Sequence, residues 1–264
     1  MIALSLLIAI PCLMWLAQTV MLRRHGLPVR WRLSSRDAPR SVRTVGRVVT
    51  QLGLLAVVLL YPALIGESIW THYAGLFPAD GTARGAIDGA LLAILILSGL
   101  LLIWLACDRI EIDVRHERRR WMRRLLLLIP SAAFGAFVEE CVFRGVLQFD
   151  LLRTGASPAQ SILIAGGLFA AAHYVRSVKR KWTIPGHLAL GIVLSAAFVA
   201  THNLWLATGI HAGGIFVILG ARPFIRYRGP AWLTGESIFP FAGVPGVMGL
   251  ALLTVIVIWR YGIP

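Results

Sequence analysis

Leu125–Gln148 reads LLLLIPSAAFGAFVEECVFRGVLQ, an apolar run that nevertheless holds Glu139, Glu140 and Arg144. Its length suits a membrane helix, which needs about 17 to 25 predominantly apolar residues. An ionisable side chain near the middle of such a helix costs about 3 kcal/mol or more, so it marks a functional site by default. The surrounding chain has the same character. Of its 264 residues 58% are hydrophobic, which disfavours a water-soluble domain with a polar exterior. The predicted fold is all-α, a polytopic membrane helix bundle of about eight transmembrane helices. The expected spans are 1–22, 46–66, 86–106, 125–148, 158–175, 187–201, 204–221 and 240–258. Pro, Gly and charge clusters fall between them, without an internal repeat, so residues 1–264 form a single integral membrane domain.

The formal charge of +14 is distributed by loop. Segments 23–47, 107–124, 174–186 and 222–239 together carry 22 Lys and Arg, against 3 in the intervening segments and the tail. This alternation is the positive-inside pattern. It predicts a multi-pass protein of the cell (inner) membrane with both termini extracytoplasmic. The basic loops are expected to meet anionic headgroups of the lipid bilayer, and no nucleic-acid partner is expected. Residues 1–22 lack a basic leading region and a small-residue cleavage site, so they read as an uncleaved anchor. Cys12, Cys107 and Cys141 are scattered and suggest packing rather than a disulfide framework.

Within the spans, helical geometry sorts the charges. Glu140 and Arg144 are four residues apart on one face and can pair. Glu139 is turned away by about 100°. It lacks a local partner and is available as a general base, given help from another helix. The intramembrane candidates for that help are His173, at the end of "FAAAH", and His211, in "GIHAGG". Gly209 and Gly213 bracket His211 with a small-xxx-small face that lets another backbone approach. One Glu with two His suits a water activated for hydrolysis or a metal-bound water doing the same. Asp88 and His187 lie near span ends; His187, His202, His72, His116 and His25 read as loop or interfacial residues.

Glu139, Glu140 and Arg144 match EExxxR, and Phe169 with His173 matches FxxxH. His211 resembles the start of a His-xxx-Asn/Asp motif. In this order on a helical membrane background, the motif-bearing core at about 125–220 resembles the CAAX-protease and bacteriocin-processing (CPBP) family, related to the type II CAAX prenyl protease. The resemblance implies an intramembrane endopeptidase acting on a membrane-associated protein or peptide substrate, by CAAX-type or C-terminal tail processing. It implies that Glu139 and His173 activate the water and that His211 donates to the oxyanion. Glu140, Arg144 and Phe169 would be supporting residues. It requires no cofactor, although a divalent metal such as zinc on Glu139, His173 and His211 is the alternative.

One position departs from the pattern. Four residues after His211, where the family has Asn or Asp, stands Ile215. Asn203 lies eight residues before His211, about 12 Å along a helix, too far for a simple substitution. A catalytically impaired relative acting as a membrane scaffold or immunity-type protein is therefore the competing reading, with a transporter behind it. Depth is a second tension. Counted from the expected span ends, Glu139 lies about 21 Å from the cytoplasmic end, His211 about 10 Å from the outer end and His173 about 22 Å from the outer end. His173 then misses the level of Glu139 unless the fifth span is tilted, broken or re-entrant.

Overall fold

In hydrocarbon the backbone must satisfy its own N–H and C=O groups, so apolar runs of this length fold as helices. The structure is a computed structural model that describes residues 2–29, 39–79, 83–113, 118–175, 183–235 and 239–262. His116 and the four basic residues of 174–186 lie outside these ranges. The helices are α1 (Ile2–Arg24), α2 (Arg40–Leu64), α3 (Ile69–Leu76), α4 (Arg84–Ala106), α5 (Arg118–Glu140), α6 (Phe149–Arg153), α7 (Pro158–Val175), α8 (Ile184–Thr201), α9 (Trp205–Ala221), α10 (Ala231–Thr234) and α11 (Val244–Tyr261). A π-helical segment, Cys141–Gln148, joins α5 to α6. A helix stands at each of the eight expected windows, and among the described residues six are long and apolar enough to cross a membrane. They are α1, α2, α4, the run Trp121–Arg153, α8 and α11. α9 is a shorter apolar helix of 17 residues. The architecture is an all-α polytopic bundle with one small sheet at its edge. Large apolar side chains such as Leu95 and Phe134, each 67% exposed, face outward, where lipid rather than water suits them.

That sheet pairs β1 (Ile110–Ile112) with β2 (Ile225–Tyr227), antiparallel, with Ile110 opposite Tyr227. Glu111 and Arg228 add an ion pair at 2.6 Å. The sheet ties the segment after α4 to the segment after α9, so both lie at one end of the bundle, as the alternation of basic loops expects. At the opposite end, buried Asp150 accepts from the Ala3 N–H (3.1 Å), the Tyr61 hydroxyl (3.1 Å) and Arg153 (3.0 Å). This carboxylate satisfies an orphan donor at the start of α1 and gathers α1, α2 and α6 at that end.

Glycines set the helix spacing at two seams. α4 and α9 run parallel in near backbone contact: a Cβ on Gly209 would collide with the Ala86 carbonyl, and one on Gly213 would lie 2.6 Å from the Ala90 oxygen. Gly166 of α7 faces Gly191 of α8 in the same manner, with 2.6 Å from a Gly191 Cβ to the Gly166 oxygen. The small-xxx-small face expected around His211 is thus a helix-packing face, with α4 as its partner.

The turn between α8 and α9 is sunk into the bundle rather than lying on its surface. Leu204 is fully buried, and its N–H donates to the Leu76 carbonyl at the end of α3 (2.9 Å). The Trp205 indole donates to the Pro78 carbonyl (2.8 Å). Asn203 is spent in this turn, accepting from the Trp205 N–H (3.1 Å) and donating to the Thr201 carbonyl (2.9 Å). It does not stand in for the missing Asn or Asp.

Gly209→Val is expected to destabilise the protein by about 1 to 3 kcal/mol through overpacking. Gly135→Val, at a position where a Cβ meets nothing within 4 Å, serves as the control. Thermal unfolding in detergent should lower the midpoint for the first and spare the second; equal midpoints would contradict the α4–α9 packing.

Candidate active site

α5 ends on the two glutamates, and the chain continues as π-helix. Such i→i+5 stretches are rare and cluster at functional sites. All eight residues of Cys141–Gln148 are buried. Glu140, Arg144 and Gln148 line one side of the helix at four-residue steps and look toward α8. Arg144 donates to the Gly191 carbonyl (2.9 Å), and Gln148 to the Ser195 carbonyl (3.1 Å). Gly191, whose carbonyl receives the guanidinium, also belongs to the glycine seam between α7 and α8.

The expected Glu140–Arg144 pair is present, at 3.2 Å between Nη1 and Oε1, with both side chains fully buried. The same Glu140 Oε1 also accepts from Nδ1 of His211, at 2.7 Å. Glu140 is therefore more than a neutraliser of Arg144. An acceptor held by a guanidinium is ionised, so Nδ1 of His211 carries the proton and its Nε2 turns to the other side. There it lies 3.8 Å from Oε2 of Glu139. His173 approaches the same oxygen from α7, its Nε2 at 3.9 Å. Its Nδ1 bonds the Phe169 carbonyl one turn earlier, at 2.8 Å, which fixes that nitrogen as the donor.

Phe169 fills the space behind these groups. Its ring packs at 4.5 Å from the His173 ring and 5.8 Å from the His211 ring, and the Arg144 guanidinium lies 4.8 Å from its centre. That is cation–π distance. The five expected site residues and Phe169 are thus brought together. Exposure separates them: the Glu139 and His173 side chains are 30% and 25% exposed, His211 only 7%. Glu139 and His173 face an opening, whereas Glu140, Arg144 and His211 are sealed behind them. Glu140 Oε2 and Arg144 Nε find no hydrogen-bond partner among the described residues, a cost natural structures tolerate mainly where a site needs it.

The depth tension resolves in the structure. The fourth long helix does not stop at 148 but runs through α6 to Arg153. Measured from the turn it shares with α7, Glu139 and His173 stand level, since each is 17 residues from Ala156. His211, only six residues into α9, reaches the same level because the turn that precedes α9 is sunk beside Gly145. Ile215, partly buried one turn past His211, offers no polar atom to the site.

Two histidines read from sequence as loop or interfacial residues are buried. His72, 4% exposed, bridges Glu67 (2.8 Å) and the Gly145 carbonyl of the π segment (3.0 Å). His187, 2% exposed, lies against the His173 ring with centroids 4.6 Å apart. A signal for His187 was available: it and His173 are each seven residues from Arg180, so an antiparallel pair places them side by side. Among the described residues no group of three or more His, Cys, Asp and Glu converges to hold a metal ion. The 3.8 and 3.9 Å separations are wider than neighbouring ligands about 2.0 to 2.2 Å from one zinc ion would favour.

No curated protein and no solved structure matches the chain. Residues 121–217, from Trp121 to beyond His211, match the family model described as Type II CAAX prenyl endopeptidase Rce1-like. This segment contains Glu139, Glu140, Arg144, Phe169, His173 and His211, and over it the chain is similar to that family of membrane proteases.

Proposed function

We propose that the protein is an intramembrane endopeptidase in which Glu139 and His173 activate water. The observation that supports this best is the pair of imidazole Nε2 atoms at 3.8 and 3.9 Å from one Glu139 oxygen. These separations are too long for direct hydrogen bonds and are easily spanned by one water about 2.8 Å from each group. Glu139 takes a proton from that water as its oxygen attacks the scissile carbonyl. The carbonyl oxygen becomes an oxyanion, to which His211 donates from Nε2. Its Nδ1 is committed to Glu140, so Nε2 is the nitrogen left to make that donation. Collapse of the tetrahedral intermediate breaks the C–N bond, and the proton held by Glu139 or His173 passes to the departing amine.

The substrate is a C-terminal or membrane-embedded segment of another protein, with prenylated CAAX ends as the type suggested by the family. His173 lies two residues from the end of α7 and His187 three residues from the start of α8. This supports substrate access from the side of the basic loops, the cytoplasmic side by the positive-inside pattern. Ile215 favours a second reading, a relative with reduced activity that acts as a scaffold, because it removes one oxyanion donor.

Glu139→Gln and His173→Ala should each lower cleavage by about 10²- to 10⁴-fold, and His211→Ala by about 10²- to 10³-fold. Mass spectrometry of C-terminal fragments in membranes checks this, with wild-type cleavage unchanged by a chelator. Identical fragments from wild type and Glu139→Gln would sink the protease reading and leave the scaffold. Stability should separate the two glutamates. Glu140→Gln breaks a buried ion pair and should cost about 3 to 5 kcal/mol, whereas Glu139→Gln at the opening should cost less than about 1 kcal/mol. Chemical unfolding in detergent measures both, and equal losses would contradict the division of labour between them.

A further inference from the structure

His187 has no part in the water-activation scheme, yet its surroundings single it out. Its ring packs against that of His173, tilted by 31° with 4.6 Å between centroids. The far side of the ring is boxed by Phe239 at 4.9 Å and Phe241 at 5.3 Å, both edge-on. Phe239 immediately precedes the short 3-10 turn Pro240–Ala242 and Phe241 lies within it; the backbone of this turn is pressed against α8, since a Cβ on Gly186 would lie 2.5 Å from the Ala242 Cα. His187 itself is tethered through Nδ1 to the Thr183 carbonyl at 2.8 Å, one turn earlier on α8. His173 is tethered in the same way to the Phe169 carbonyl, also at 2.8 Å. Two imidazoles on neighbouring helices, each anchored to its own backbone, therefore pack against each other at the mouth of the site.

The asymmetry between them matters. His187 is 2% exposed and walled on its outer side. The His173 side chain is 25% exposed, sits two residues from the end of its helix, and must hold its Nε2 toward Glu139. One face of the His173 ring is covered by Phe169 at 4.5 Å, and His187 covers it from α8. Without that second ring the α8 side of His173 would lose its packing, and the ring would be freer to swing about Cβ–Cγ. A ring misplaced by about 1 Å costs on the order of 10²-fold in rate.

We propose that His187 is a positioning residue for the peptidase reaction: its buried ring, fixed by the Phe239–Phe241 box, clamps His173 in the orientation that serves Glu139. The proposal rests on the endopeptidase reading above. It extends the site to α8 and to the 3-10 turn before α11, which lies beyond the segment that matches the family. It also makes aromatic shape, rather than charge, the property required at position 187.

The test compares His187→Ala and His187→Phe in the full-length protein in detergent, with two readouts. The first is steady-state cleavage of a membrane peptide that the wild type cuts. His187→Ala should lower kcat at least tenfold with KM within twofold, whereas His187→Phe, which restores a ring, should stay within about threefold of wild type. The second readout does not depend on activity: carbethoxylation of His173 by diethyl pyrocarbonate, followed by mass spectrometry. Labelling should be several-fold faster in His187→Ala than in wild type and unchanged in His187→Phe. Equal labelling in all three proteins, or a kcat for His187→Ala within twofold of wild type, overturns the proposal. So does equal impairment of the Ala and Phe variants. Should the wild type cleave nothing, the peptidase reading fails, and the labelling rates still decide whether His187 clamps His173.

Discussion

Everything at the site hangs on the Glu140 carboxylate. One oxygen accepts from Arg144 at 3.2 Å and from His211 at 2.7 Å, so a single buried anion joins the π-helical segment to α9. Removing two charges from water is expensive, and their attraction compensates only with good geometry and added hydrogen bonds. Here the additional bonds are the His211 ring and the Gly191 carbonyl, and both come from other helices. The ion pair thereby has a use beyond stability: its carboxylate holds Nδ1 of His211, leaving Nε2 directed at Glu139. The Glu139 carboxylate can then remain partly open while Glu140, Arg144 and His211 behind it are sealed.

Backbone packing places those partners. The Gly209 and Gly213 contacts with α4 bring α9 close, and the sunken turn at Asn203 and Leu204 lets His211 reach the level of the glutamates within two turns. On the other side Arg144 bonds the carbonyl of Gly191, a member of the Gly166–Gly191 seam. In a bilayer, where helices gain nothing by hiding apolar surface from one another, such close approaches and interhelical hydrogen bonds are what hold a bundle together. The glycines and the polar cluster are thus two aspects of one assembly.

Much of this was legible in the sequence, for identifiable reasons. A strong apolar pattern reports helices, and i,i+4 spacing reports the Glu140–Arg144 pair, because both depend on local geometry. The His211–Glu140 bond spans 71 residues and left no local trace. His187 and His72 lie near span ends in the sequence yet are buried, because Phe239 and Phe241 cover His187 and the π-helical segment receives His72. The depth of His173 was misjudged because the fourth helix was ended at Gln148, although polar Asp150 and Arg153 continue it by pairing with each other. The π-helical segment has no distinct composition and could not be anticipated from residue types.

The central claim is that Glu139 and His173 act on the same water. A double-mutant cycle tests it most directly, because residues that work as a unit show grossly non-additive losses. Rates of peptide cleavage would be measured for Glu139→Gln, His173→Ala and the double variant. Action on one water predicts that the double variant is no slower than the slower single variant. Losses that multiply would contradict it, showing that the two side chains contribute independently.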